Sequence, residues 1–404
     1  MSRRVLSGMR PTGNLHLGNY FGAIKQFIDL QSSGEECFFF VADIHALTEI
    51  SSHTKIEELS IEVVKNYLAC GIDSTKSTLY CQSDVPEVSE IALLLGNTVK
   101  LGRLQNCTTF KDRINNKGVP EGEVSYGLLG YPVLMAADIL CVRAQLVPVG
   151  QDQTQHVEMT RDFARAFNYM FNKGVFVIPE LNINNPLRVP GIDGAEKMGK
   201  SDGNTIALLE DLASVIKKVR SIPTQPNPGG EMQPGTRALF TLMELCSPPD
   251  IHTEYLRRYV NREGKFFGEM KQRLSEDIVS LLEPIQQRYK ELSDNKIREI
   301  LVQGANKVRS IASLVLMDMR EAIGLKKMIG ENRLSSEMTP VKGSNAYKIC
   351  PLCKQSLPNF KADGTHNFCP HNLYRNSIVD ICMDCKMKLL GSASHLNESQ
   401  TPVH

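Results

Sequence analysis

The chain has 404 residues, 42% hydrophobic and 23% charged, and its 46 Lys and Arg against 45 Asp and Glu leave a net charge of +1. That length supports two or three domains with a large core, and the composition is ordinary for a water-soluble globular protein. The near balance of charge argues against a chain that coats nucleic acid nonspecifically but allows a local basic patch, and no apolar run reaches the length of a membrane span.

Residues 3–8 read as a first strand, and 19–31 as a helix, with Phe21, Ile24, Phe27, Ile28 and Leu30 at helical spacing. "CFFFVADIHAL" reads as a buried strand. Residues 54–70 form a helical pattern stopped by Gly71, and "STLYCQSD" is the next strand. Residues 88–101 and 123–142 are mainly helical. "AQLVPVGQDQ" is a strand running into a loop, "TQHVEMTRDFARAFN" a long helix, and "VFVIPE" a short strand. Alternating buried strands and helices predict an α/β fold with a parallel sheet, whose ligands bind at the carboxyl ends of the strands. After residue 205 long helical patterns dominate, with Pro-rich breaks near 223–234 and 248–249. The expected domains are therefore a Rossmann-type unit over 1–205, a helical unit over 206–331, a polar linker over 332–345, a Cys-rich module over 346–390 and a disordered end over 391–404. Residues 251–330 carry 15 Lys and Arg against 11 Asp and Glu, a mild basic excess that a solvated helical face would also show. The opening "MSRRVLSG" has neither an apolar signal core nor a transit-peptide composition, so a cytoplasmic location is expected.

Two short stretches carry chemistry. In "SGMRPTGNLHLGNYFGA", residues 7–23, turn residues, His16, Gly18 and Asn19 fall where a strand gives way to a helix. Such a helix start suits phosphate, and a capped loop with a surface His is the plainer alternative. In "EKMGKSDGNTI", residues 196–206, two lysines three apart flank Gly199. A mobile loop with two ammonium groups can close over a triphosphate and follow charge as it builds in a transition state.

Together the two stretches resemble the His-Ile-Gly-His and Lys-Met-Ser-Lys-Ser signatures of class I aminoacyl-tRNA synthetases. Asn19 replaces the last residue of the first, and Gly199 stands where Ser is usual. Residues 127–168, "GLLGYPVLMAADILCVRAQLVPVGQDQTQHVEMTRDFARAFN", resemble the core of the tryptophanyl-tRNA synthetase family, and the resemblance extends over about residues 3–327. It implies a homodimer that activates L-tryptophan with ATP and Mg2+ and then charges tRNA(Trp). The reaction is in-line attack of the tryptophan carboxylate on the α-phosphate, with no covalent nucleophile on the protein. His16, Asn19, Lys197, Lys200 and Ser201 take the catalytic roles. His16 and Asn19 would donate to phosphate and ribose, and the lysines would meet the leaving pyrophosphate. The implied ATP site adds Arg10, Pro11, Thr12, Gly18, Gly150, Gln151, Asp152, Val189, Met198 and Gly199, with Gly18 leaving room for adenine. The implied tryptophan site is Gly8, Tyr131, Met135, Asp138 and Gln153, with Tyr131 and Gln153 at the α-amino end. Gln151 stands where relatives more often have an acid, and Arg10 where many have Gln. "FKDR", with Lys111 and Arg113, matches a mobile basic loop near the triphosphate.

The residues themselves agree. Asp138 is a lone carboxylate in the apolar run "YPVLMAADIL", and it needs a donor; an indole N–H is one, and local backbone is the alternative. Met135, three residues earlier on the same helical face, offers a polarizable thioether to a flat ring. His45, at a strand end, reads equally as a hydrogen-bonded core residue or as a group near substrate, and His156 reads as structural. The competing enzyme is a tyrosyl relative, which would need polar partners for a phenol. The competing non-enzyme is a tryptophan-sensing paralogue, which would have no need for His16, Asn19, Lys197, Lys200 and Ser201.

The tail is separate. Cys350, Cys353, Cys382 and Cys385 form two C-x-x-C pairs, with Cys369, His366 and His371 between them. Four thiolates at this spacing fit a closed structural Zn2+ site; an exposed redox-active thiol cluster and a disordered appendage are the alternatives.

Overall fold

The computed structural model describes residues 2–325 apart from 12, 49–54, 151–152, 184–187 and 200–201, and for 182–183 the backbone alone. The expected linker, Cys-rich module and chain end lie outside the described residues. So do Thr12, Gln151, Asp152, Lys200 and Ser201.

Five parallel strands form one sheet: β1 (Arg4–Met9), β2 (Glu36–Val41), β3 (Ser77–Cys81), β4 (Leu146–Val149) and β5 (Glu180–Ile183). Their order is β3-β2-β1-β4-β5. The chain builds outward from β1 through β2 to β3, then returns to place β4 on the other side of β1. That reversal opens a crevice at the carboxyl ends of β1 and β4, the place where such sheets bind ligands. Helices cover both faces, so β2 is apolar from Cys37 to Val41 rather than alternating. Cys37, Phe39 and Val41 face one core, and Phe38 and Phe40 the other. Phe27 stacks on Phe39 at 4.4 Å between ring centroids.

Most elements fall where periodicity puts them. The helix Ile56–Cys70 ends at Gly71, whose φ of 117° is a left-handed cap that suits glycine. The strand expected at 175–180 is displaced: β5 runs Glu180–Ile183 instead. Val175 and Phe176 are buried beside Phe167 as loop residues, and Pro179, which has no N–H to give a ladder, precedes the strand. The basic "FKDR" stretch, expected as a mobile loop, sits on a helix, Thr108–Asn115.

Five helices follow the sheet: Leu212–Ser221, Pro234–Cys246, Pro249–Val260, Phe267–Glu291 and Asp294–Ile323. They share the sheet's cores. Val215, Leu242 and Leu282 pack in one core with Val5 and Phe39, while Val308 and Val315 pack in the other with Leu6 and Phe38. The last helix covers β3, the outer strand, and so shields an open sheet edge. Gly304 permits this approach, because a Cβ there would stand 1.8 Å from the Leu79 carbonyl oxygen. Gln286 ties the helix Phe267–Glu291 to the carbonyls of Leu208 and Glu210 at 3.0 and 2.8 Å. Among the described residues no helix is long and apolar enough to cross a membrane.

Candidate active site

Three groups of side chains gather at the carboxyl ends of the strands. The first joins the two signature stretches. After β1, Gly13 turns the chain with φ 88°, and His16 caps the helix start at Leu17. His16 Nδ1 accepts the Gly18 N–H at 3.1 Å, and Asn19 Oδ1 accepts the His16 N–H at 3.1 Å. Because Nδ1 is an acceptor, the neutral imidazole carries its proton on Nε2 and can donate from there. The loop of the second signature is stitched to this turn: the Leu17 N–H donates to the Ile206 carbonyl at 3.0 Å and the Leu208 N–H to the Leu15 carbonyl at 2.9 Å. A Cβ on Gly18 would meet the His16 ring at 2.8 Å and the Met198 side chain at 3.6 Å. Gly18 is therefore required by the closeness of His16, and Met198 is the floor beneath it. Met198 is buried, and its N–H donates to the carbonyl of buried Val189 at 2.9 Å. Lys197 is exposed.

Asn204, 3% exposed, organises that loop. Its Oδ1 accepts the Gly199 N–H at 2.8 Å, and its Nδ2 donates to the Asp193 carboxylate at 3.1 and 3.2 Å and to the Lys197 carbonyl at 3.3 Å. Sequence reasoning did not single out Asn204, since an Asn after Gly reads as a turn residue. At Gly199 a Cβ would lie 2.1 Å from Asp202 Oδ2, so a Ser there would have to displace that carboxylate.

The second group surrounds Asp138, 1% exposed on the helix Tyr126–Cys141. His45, just past β2, places Nε2 3.0 Å from Asp138 Oδ2. Gln82, just past β3, donates Nε2–H to both carboxylate oxygens at 2.9 Å. Burial raises the Asp138 pKa, and His45 and Gln82 oppose that rise. The geometry shows His45 hydrogen-bonded to Asp138 and fits both of its readings. Gln82 was missed; its one signal was a polar residue at the carboxyl end of a buried strand.

The third group adjoins the second, for the Tyr131 and His45 rings meet edge to face at 6.3 Å. Tyr131, Met135 and Asp138 share one helix face. The Tyr131 hydroxyl donates to Thr109 Oγ1 at 2.9 Å and is in close contact with His156 Nε2. His156 Nδ1 lies 2.9 Å from Gln153 Oε1, and Cys107 Sγ lies 3.3 Å from His156 Nε2 and 3.4 Å from the Tyr131 oxygen. Burial raises the pKa of the Tyr131 hydroxyl, and the charge of Arg10 works weakly against that rise. Gly8 faces Phe40 across the β1–β2 pair, and a Cβ on it would stand 2.5 Å from that ring. Gly150 accepts the Gln153 N–H at 2.9 Å. Buried Pro11 follows Arg10 in the first turn. Lys111 is exposed and Arg113 half-buried on their helix, whose first N–H, that of Thr108, donates to Gln155 Oε1 at 2.8 Å. Among the described residues no three His, Cys, Asp or Glu stand together as a metal site.

A Rossmann-like parallel sheet with a helix-capping His after its first strand and a lysine loop pinned against it is the architecture of class I synthetases. Residues 2–283 match the family described as class I tRNA synthetases (W and Y), and the chain belongs to it. It is 41% identical over 329 residues to the tryptophan–tRNA ligase of Porphyromonas gingivalis, spanning 80% of this chain and 99% of that one. The ligase of Fusobacterium nucleatum is 39% identical over 327 residues, 80% of this chain and 98% of that one. Among solved structures, tryptophanyl-tRNA synthetase from Campylobacter jejuni complexed with ADP and tryptophan matches with a TM-score of 0.70 at 36% identity, covering 80% of this chain and all of that one.

Proposed function

We infer that the protein activates L-tryptophan with ATP, forming tryptophanyl-adenylate and pyrophosphate, and transfers the amino acid to tRNA(Trp). The observation that carries this reading is Asp138: a buried carboxylate held by His45 and Gln82 from two strand ends, on the same helix face as Tyr131 and Met135. Indole has one polar atom, a donor, and a fixed carboxylate meets it. A phenol would call for a different set of partners.

In this reading the indole lies against Met135 with its N–H on Asp138, and the α-amino group meets Tyr131 and Gln153. Arg10 faces the amino-acid carboxylate or the α-phosphate. The nucleotide lies along the first signature: His16 Nε2–H and Asn19 donate to phosphate and ribose, while Gly150, Gln151 and Asp152 meet ribose or adenine beside Pro11, Thr12 and Val189. Lys197 and Lys200 stabilise the departing pyrophosphate, with Met198, Gly199 and Ser201 shaping the loop. Positioning and electrostatics then supply the rate. Mg2+ would arrive with the ATP phosphates, where it screens their charge. Helices beyond residue 205, to about 331, would bind the anticodon arm. Assembly as a homodimer is proposed from the family resemblance. The proposed setting is the cytoplasm.

The test is Asp138→Ala in amino-acid-dependent pyrophosphate exchange. Loss of a charge-assisted hydrogen bond of about 1.5–3 kcal/mol should raise KM for tryptophan or lower its rate constant by roughly tenfold to 150-fold. KM for ATP should change little. Equal damage to both substrates would mean that Asp138 serves folding instead.

A further inference from the structure

We propose that Gln286 is a positioning residue for adenylate formation: from the helix Phe267–Glu291 it holds the root of the second signature loop, and so fixes where Lys197 stands. The inference rests on the reading that Lys197 meets the departing pyrophosphate.

The root is the segment from Thr205 to Glu210. It lies against the first signature as a short antiparallel rung, with His16 opposite Ala207. The Leu17 N–H donates to the Ile206 carbonyl at 3.0 Å and the Leu208 N–H to the Leu15 carbonyl at 2.9 Å. Ile206 and Leu208 are fully buried, so the polar backbone around them needs partners within the protein. Side chains from two helices supply these. Lys218, on the helix Leu212–Ser221, donates to the Thr205 carbonyl at 2.9 Å and pairs with Glu210 at 2.6 Å. Glu210 Oε2 in turn accepts the Ala207 N–H at 3.1 Å. Gln286 Nε2 donates to the carbonyls of Leu208 at 3.0 Å and Glu210 at 2.8 Å. An amide nitrogen has two N–H groups, and here both are engaged by the root.

The root runs directly into Asn204, whose side chain holds the Gly199 N–H and the Lys197 carbonyl. One connected line of bonds therefore leads from the helix through Gln286, the root and Asn204 to Lys197. Its far end is fixed, because Leu282 and Ile285 beside Gln286 are 0% and 2% exposed in the core. The Asp138 carboxylate is held by Gln82 and His45, which belong to other elements. A loosened root should displace Lys197 and leave tryptophan binding alone. A misplacement of about 1 Å can cost about 100-fold in rate at a group that acts in the transition state.

The experiment measures single-turnover adenylate formation beside the Kd for tryptophan, read from the ligand's own fluorescence because the chain contains no Trp. The variants are Gln286→Met, Gln286→Lys, Lys197→Ala and the double variant Gln286→Met/Lys197→Ala, each checked for cooperative thermal unfolding. Gln287→Met is the control, since Gln287 bonds Glu291 along its own helix at 2.9 Å; Gln, Met and Lys have similar helix propensity. Gln286→Met, which removes both donors, should slow adenylate formation by about tenfold and change Kd for tryptophan by less than about twofold. Gln286→Lys, which restores a donor, should recover part of the rate, and Gln287→Met should leave it unchanged. The double variant should be far less than additive, because Gln286 acts through Lys197. If Gln286→Met does not fold, Gln286→Glu decides, since it keeps the shape while turning an acceptor on two carbonyls and should lose at least as much rate. An unchanged rate, equal loss of rate and tryptophan affinity, or full additivity would overturn the inference. A Lys197→Ala variant with unchanged rate would instead sink the reading of the loop, and this inference with it.

Discussion

Asn204 spends every polar atom of its side chain on the loop that presents Lys197. Replacing it by Ala leaves the Gly199 N–H, the Lys197 carbonyl and the Asp193 carboxylate without that partner, at about 1–3 kcal/mol for each group that stays buried. The pocket around Asp138 is built from other elements. Asn204→Ala should therefore lower the rate of adenylate formation by about tenfold or more while leaving Kd for tryptophan nearly unchanged, the pattern of a contact that matters in the transition state. Pre-steady-state adenylate formation beside equilibrium tryptophan binding checks it; a matching fall in both would show that the loop also shapes the amino-acid pocket. Residue identities were legible in the sequence where a side chain is chemically out of place, as with Asp138 in an apolar run. They were illegible where the side chain looks ordinary and only its neighbours make it special. Gln82 reaches Asp138 because the end of β3 meets the helix Tyr126–Cys141, a fact of the folded molecule that no local pattern contains.

At the scale of elements, helices and buried strands follow from periodicity because burial imposes it. The exceptions have local causes, such as Pro179 delaying β5. The seat of the last helix on β3 depends on a missing atom, Gly304 Cβ, and nothing in the helical pattern announces it. Two contrary effects act on Gly304→Ala. Alanine gains about 1 kcal/mol of helix propensity, but its Cβ would stand 1.8 Å from a backbone oxygen that cannot rotate away. Overpacking of this kind typically costs about 1–3 kcal/mol, so the net effect should be destabilising. Gly268, near the start of the helix Phe267–Glu291, has nothing within 4 Å of its Cβ position, and Gly268→Ala should leave stability unchanged or raise it. Thermal unfolding of the two variants compares them directly. An equal or higher Tm for Gly304→Ala would mean that the helix shifts on β3 without loss.

At the scale of the whole molecule, the family match ends at residue 283 and the ligase relatives span 80% of this chain, so the Cys-rich segment is an addition whose chemistry must be read from its own residues. Its two C-x-x-C pairs offer four thiolates, and residues 346–390 are too short a segment to build a large core. A metal would add to what so small a core can supply: binding free energy of a structural zinc site is folding free energy. We propose that Cys350, Cys353, Cys382 and Cys385 hold one Zn2+, with Cys369, His366 or His371 able to replace one of them. A site with four protein ligands has no open position and is structural rather than catalytic. Zinc removal should therefore leave tryptophan activation intact, because that chemistry is assigned to residues from Gly8 to Ser201. The measurement is metal analysis of the full chain, expressed in zinc-replete medium, beside a chain ending at residue 335, with adenylate formation assayed on both. About one zinc per full chain, none in the shorter chain and equal activation rates are expected. Absence of zinc from the full chain would refute the site. Loss of adenylate formation in the shorter chain would refute the separation of the tail from the chemistry.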